Sequence, residues 1–152
     1  MKRVVALLLF GVSTFGLAPH SEGLIMINEI LADPPSGILG DANRDGVRDA
    51  FDDEFVELFN SGADPVLLSG WTLSDSLSVR HIFSEASMIP TEGFFVLFGG
   101  GSPTGFTNFE LSSTGLLSLN NSGDTVYLHH ADGILIDVFT YGPEGGQDVS
   151  LT

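Results

Sequence analysis

Short apolar runs broken by Gly, Pro, Asn, Asp and Ser recur along the chain and predict strands rather than helices. Residues 24–31 (LIMINEIL) read as a buried strand that Pro34-Pro35 terminates. Residues 54–59 form the next, with Asn60-Ser61-Gly62 as its turn. A strand around Trp71, within residues 66–73, is entered through Asp64-Pro65, and His81-Ile82-Phe83 is a short strand-like stretch. Residues 93–98 are a strongly apolar strand, followed by the loop Gly99-Gly100-Gly101-Ser102-Pro103. Residues 116–119 read as a further short strand. Residues 125–130 and 134–141 flank Ala131-Asp132-Gly133, a hairpin signal because Asp-Gly supplies the backbone conformations a tight turn needs. Residues 149–151 begin a last strand. Turn signals recur about every ten residues, the spacing of a two-sheet sandwich. The expected fold is all-β, a sandwich of about seven to nine strands with no convincing helix.

Composition sharpens this picture. At 152 residues the chain suits one domain, and its 19 glycines, seven prolines and 12 phenylalanines favour strands joined by turns over a helical bundle. There is no cysteine, which excludes a disulfide scaffold, a thiolate zinc site, an iron–sulfur cluster and a cysteine nucleophile together. Lys2-Arg3 followed by an uncharged apolar run to Ala18 reads as a secretory signal peptide, too short for a spanning helix of about 20 residues. The domain reading is therefore a leader over 1–23 and one β-domain over 24–152. The localisation expected is secreted or cell-surface, with no stable membrane insertion once the leader is cleaved.

The whole chain carries a net charge of −15. Without residues 1–23 it keeps three arginines and no lysine against 19 acidic residues, a balance of −16. Such a surface repels nucleic acid, whose binding needs Lys and Arg to displace counterions. It attracts cations, and outside the cell calcium is present at roughly millimolar levels, where weak sites fill.

One segment carries chemistry. Within a Gly/Asp-rich insert over 36–53, Asp41, Asn43, Asp45, Asp49 and Asp52 fall at positions 1, 3, 5, 9 and 12 of a calcium loop, with Gly46 at position 6. Calcium takes six to eight hard oxygen ligands. Alternate residues aim short oxygen side chains at one centre. Gly46 permits the turn that lets Val47 offer its backbone carbonyl at position 7. Asp52 closes the shell, with Asp53 and Glu54 as alternatives one and two places on. A strand-like run follows rather than an amphipathic helix, so the expected role is structural, not that of a helix-opening sensor. The expected cofactor is calcium.

Three stretches then look familiar together: residues 27–34 (INEILADP), 53–60 (DEFVELFN) and 68–75 (LSGWTLSD). Their order and spacing resemble the lamin tail domain as found in exported bacterial proteins. Residues 89–97 resemble that family's proline–glycine turn into an apolar strand, and 121–128 with Asp132-Gly133 its final hairpin. The resemblance implies an immunoglobulin-like β-sandwich without catalysis, a binding or adhesion module whose partner is a protein or a surface glycan. The family's nuclear roles do not transfer to an exported, acidic chain. An alternative is an accessory domain of a larger secreted hydrolase whose catalytic part lies beyond residue 152, in further domains of the same chain.

Other candidates have plainer readings. Trp71 lies among Leu67, Leu68 and Leu73 and is expected in the core. His129 and His130 are adjacent on a strand and point to opposite faces, so they do not chelate one metal together. Glu29, Glu54 and Glu57 suggest a glycosidase pair only weakly, and read as strand-face carboxylates near the loop. Gly99-Gly100-Gly101 lacks the Lys and helix of a phosphate loop and reads as a turn. No Gly-x-Ser-x-Gly elbow is present, and Asn120-Asn121-Ser122 matches a glycosylation sequon of low specificity.

Overall fold

A computed structural model describes residues 25–152. The predicted leader over 1–23 lies outside the described residues.

Ten strands follow in chain order: β1 (Ile25–Leu31), β2 (Phe55–Asn60), β3 (Val66–Leu67), β4 (Thr72–Ser74), β5 (Val79–Ile82), β6 (Met88–Ile89), β7 (Phe94–Phe98), β8 (Phe109–Leu111), β9 (Asp124–His129) and β10 (Leu135–Tyr141). Two four-residue 3-10 turns, Gly37–Gly40 and Pro143–Gly146, complete the elements. One sheet runs β1-β2-β7-β8 and the other β10-β9-β4-β5, with β3 and β6 as a separate two-stranded ladder. The expected all-β sandwich is what forms, with β8 added parallel to β7.

Alternation builds the interior. In β2, Val56, Leu58 and Asn60 face inward while Phe55, Glu57 and Phe59 face out. They meet Leu73 of β4 and Val126 and Leu128 of β9, with Trp71 buried beside them as expected. Asn60 is the one polar side chain in that row. Its amide donates to the Asp64 carbonyl (2.8 Å) and the Pro90 carbonyl (3.1 Å), and its oxygen accepts from the Gly62 N–H (2.9 Å), so its burial is compensated. On one side of the sandwich the edge strands are tied together. A bulge in β1 turns the Ile27 N–H onto Asp137 Oδ2 of β10 at 2.7 Å.

Three expectations change. The strand expected around Trp71 within residues 66–73 divides into β3 and β4, which join different sheets, because the chain turns between them at Ser69-Gly70, where Gly70 takes φ 73°. Residues 116–119 make no ladder: Ser118 takes φ 54°, which breaks an extended run, while Leu117 and Leu119 plug the core. Residues 149–151 contribute only an isolated bridge, Leu151 to Ile30.

Edge strand β5 is fastened to β8, the edge strand of the other sheet, by a partly buried polar cluster. His81 Nε2 lies 2.7 Å from Glu110 Oε2, the Ser113 N–H donates to His81 Nδ1 (3.1 Å), and the hydroxyls of Ser84 and Ser87 both donate to Glu110 Oε1. Burial lowers the His81 pKa and outweighs the opposing pull of Glu110. Burial works to raise Glu110, but its bonds from Ser84, Ser87 and His81 together hold it below the usual carboxylate range. A neutral imidazole therefore donates to an ionised carboxylate. Glu110→Gln is expected to cost about 1–2 kcal/mol at pH 7. A depressed carboxylate pKa contributes stability above its unfolded value of about 4.3 and loses it as pH falls through the folded pKa. The gap between variant and wild type should therefore narrow toward pH 3, which denaturant midpoints at the two pH values will show.

Candidate metal centre

Strand pairing brings two distant loops together. Phe55 pairs with Phe98, so the chain enters β2 and leaves β7 at the same end of the sandwich. The 41–53 loop leads into β2, and residues 99–104 lead out of β7.

Within the loop the predicted ligands form a set of side chain–backbone turns. Asp41 Oδ1 accepts from the Asp45 N–H (3.1 Å) and Oδ2 from the Gly46 N–H (3.0 Å). Asn43 Oδ1 accepts from the Asp45 N–H (3.0 Å), and Asp45 Oδ1 from the Val47 N–H (2.8 Å). Gly46 has φ 92°, the conformation its position was expected to need, and Val47 is exposed. Asp49 Oδ1 accepts from the N–H groups of Phe51 (2.8 Å) and Asp52 (3.2 Å), which lower its pKa.

The three candidates for closing the shell separate by environment. Asp53 is fully buried, and its carboxylate takes the N–H of Asn43 on Oδ1 (3.0 Å) and of Asp49 on Oδ2 (2.8 Å). Glu54 is turned to the other side, its Oε2 accepting from the Leu119 N–H at 3.2 Å. Burial pushes Glu54 up to about 8 against the pull of the Leu119 and Ser118 N–H groups. Asp52 is held up by burial, then by the charges of Asp49, Asp45 and Asp53. Among the described residues its carboxylate, alone of the three, accepts no hydrogen bond.

The glycine tract read as a plain turn is the floor of this loop. A Cβ on Gly99 would stand 1.9 Å from the Phe51 carbonyl oxygen, one on Gly100 2.2 Å from Asp52 Oδ1, and one on Gly101 2.3 Å from Asn43 Nδ2. The Gly100 N–H bonds the Asp52 carbonyl (3.2 Å), the Ser102 N–H bonds Asp45 Oδ2 (3.0 Å), and the Thr104 N–H bonds the Asn43 carbonyl (3.0 Å). Sequence reading missed this contact. Its signal was present in three consecutive glycines, which suit a close approach of backbone.

Both arginines of the loop turn away from its carboxylates. Arg48 Nε donates to the Pro35 carbonyl (3.0 Å) and its Nη2 to that of Pro34, while the Arg44 guanidinium stacks 5.1 Å over Phe106. Neither forms an ion pair with a loop carboxylate among the described residues. The donors are all hard oxygens, a set that suits calcium rather than zinc. Among the described residues no three His, Asp or Glu side chains already stand in the arrangement of a metal cage.

The remaining candidates are accounted for by their neighbours. Glu57 accepts from Asn28 Nδ2 (2.8 Å), and His130 packs edge-on against Trp71 at 5.2 Å. In the His81–Glu110 cluster the serine hydroxyls donate to the carboxylate rather than to the imidazole, and the imidazole is closed on both nitrogens.

Compared with known proteins, residues 18–143 match the family model of the Lamin Tail Domain. No curated protein matches the chain.

Proposed function

Given that this chain belongs to the Lamin Tail Domain family, we propose that it is a non-catalytic binding or adhesion module, exported to the cell surface or beyond and stabilised by one structural calcium ion. Asp41, Asn43, Asp45, Asp49 and Asp52 would supply side-chain oxygens and Val47 its carbonyl. Its partner is a surface protein or glycan rather than nucleic acid, which the acidic surface would repel.

The observation that carries the calcium reading is the uncompensated charge at Asp52. Its carboxylate lies near the charges of Asp49, Asp45 and Asp53, and among the described residues no arginine forms an ion pair with any of them. A divalent cation would relieve that repulsion and crosslink an insert whose two halves are already tied by Asp53.

Thermal melts of the purified protein in chelator and in calcium test it. Stabilisation should reach about 2.7 kcal/mol at a hundredfold excess over the dissociation constant, or roughly 6–10 °C for a domain of this size. Magnesium, which demands a tighter octahedral shell, should give much less. Asp52→Asn is the informative variant because it removes charge without removing a backbone partner. In chelator it should melt no lower than wild type, and in calcium it should lose most of the shift. A wild type indifferent to calcium, or an Asp52→Asn that keeps the full shift, would sink the reading.

A further inference from the structure

We propose that the cleft at the loop end of the sandwich is a saccharide site, taking one or two pyranose rings of an extracellular glycan against Phe51. This rests on the binding-module reading above and adds its ligand class and its place.

The cleft has a volume of about 750 Å³, within the range of small-molecule sites. Its walls come from four places: Phe51 and Glu54 from the 41–53 loop and its exit, Asp75 and Leu77 from the β4–β5 turn, Arg80 from β5, and Tyr141 from the end of β10. Tyr141 is the decisive member. It is 5% exposed, yet its hydroxyl has no hydrogen-bond partner. The Asn120 N–H, which bears on the phenol, is committed to Asp124 Oδ2 at 3.2 Å. Gly145 packs onto the ring, where a Cβ would stand 2.4 Å from Cε2, so the phenol is fixed in place. A buried hydroxyl without a partner lowers stability; its oxygen is closed to solvent in the free domain, so the lining over it must part for a ligand hydroxyl to satisfy it.

The other walls suit a neutral, hydroxyl-rich ligand. Phe51 is 54% exposed and, among the described residues, pairs with no other aromatic ring, which leaves a flat apolar face at the rim. Arg80 is oriented by Asp75, whose Oδ2 takes its Nε at 2.8 Å and its Nη2 at 2.5 Å, while Asp75 Oδ1 takes the Leu77 and Ser78 N–H groups at 2.7 Å each. That pair is internally neutral and rigid. An anionic ligand would meet the carboxylate of Asp124, while Glu54, pushed up to about 8, is largely uncharged at neutral pH and offers a hydroxyl-like donor. A sugar offers alternating donors and acceptors, with a C–H face for an aromatic ring. The site is also joined to the calcium loop. Phe51 lies between Asp49 and Asp52, with its N–H on Asp49 Oδ1 (2.8 Å) and its carbonyl against Gly99, so ordering the loop places the ring.

The test uses the full protein in calcium with cellotetraose, xylotetraose, maltotetraose and N-acetylchitotetraose, each free and as an immobilised polymer, followed by a glycan microarray. At least one class should bind. Free oligomer binding would point to a soluble glycan as sufficient, and polymer-only binding to a surface one. Phe51→Ala should weaken binding about tenfold or more. Tyr141→Phe should weaken it about five- to tenfold without lowering the melting temperature, since it deletes a hydroxyl that holds nothing in the free domain. A merely structural tyrosine would show the reverse. Binding to no glycan, binding untouched by both substitutions, or capture of lysine methyl ester in place of every sugar would overturn the proposal. Recovery of intact oligosaccharide keeps the non-catalytic reading. Its cleavage would overturn that reading while leaving the cleft as the site, and the calcium melt reports separately on the loop.

Discussion

Replacing Asp53 with alanine is expected to lower stability by about 3–5 kcal/mol, in calcium and in chelator alike. Asp53 is fully buried, and each of its carboxylate oxygens holds one backbone N–H, from Asn43 at 3.0 Å and from Asp49 at 2.8 Å. Those two donors lie six residues apart on the insert. One side chain therefore ties the first half of the loop to the second. Removing it orphans two N–H groups at about 1–3 kcal/mol each and leaves a small cavity behind. The effect should not depend on calcium, because both bonds exist without it. That separates Asp53 from its neighbour Asp52, whose substitution should matter only when the ion is present. Asp53→Asn keeps one acceptor oxygen and should lose about half as much. Urea midpoints with and without calcium decide it. If Asp53→Ala lost stability only in calcium, Asp53 would be a ligand and the assignment of Asp52 as the closing residue would fall.

The contrast between these two aspartates shows where sequence reading stops. The register of Asp41, Asn43, Asp45 and Gly46 is a local pattern, and the local turns it predicts are the ones that form. In Asp52-Asp53-Glu54, three acidic groups follow one another, and direction decides the role of each. Asp53 turns under the loop, Asp52 stays with the other carboxylates, and Glu54 crosses to Leu119. Nothing within a few residues sets those directions. They follow from β2 beginning at Phe55 and from what lies beneath.

The same division holds for the fold. Strands β1, β2, β7, β9 and β10 are five or more residues long and carry their own alternation or apolar density. They were legible, as was the turn at Gly133, with φ 87°. Strand β8 has three residues and exists because β7 offers an open edge to it, a non-local cause. Residues 116–119 have the apolar content of a strand, but Leu119 gives its N–H to Glu54 instead of to a ladder. The Glu110 cluster joins residues more than 20 positions apart and left no pattern to read.

Gly99→Ala is expected to destabilise by about 3 kcal/mol or more and to blunt the calcium response as well. Its Cβ would meet the Phe51 carbonyl oxygen at 1.9 Å and the Phe51 carbonyl carbon at 3.0 Å. Both are backbone atoms, so no side chain can swing aside. Gly99 cannot retreat, because its N–H bonds the Glu54 carbonyl at 2.8 Å where β7 meets β2. The 41–53 loop must give way instead. Overpacking of this kind costs about 1–3 kcal/mol and occasionally more, and here the weakened Asp53 and Gly100 contacts add to it. Moving Phe51 also moves Asp52, so the ion-dependent shift should shrink together with the baseline stability. Gly115→Ala is the matched control: its φ is 84° and nothing lies within 4 Å of the new Cβ. It carries only backbone strain of about 1 kcal/mol and should leave the calcium shift intact. Melts of both variants in chelator and in calcium distinguish a cradle from a spacer. If Gly99→Ala is destabilised yet keeps the wild-type calcium shift, the tract supports the fold alone. If both fall together, residues 99–101 are as much a part of the metal centre as the aspartates above them.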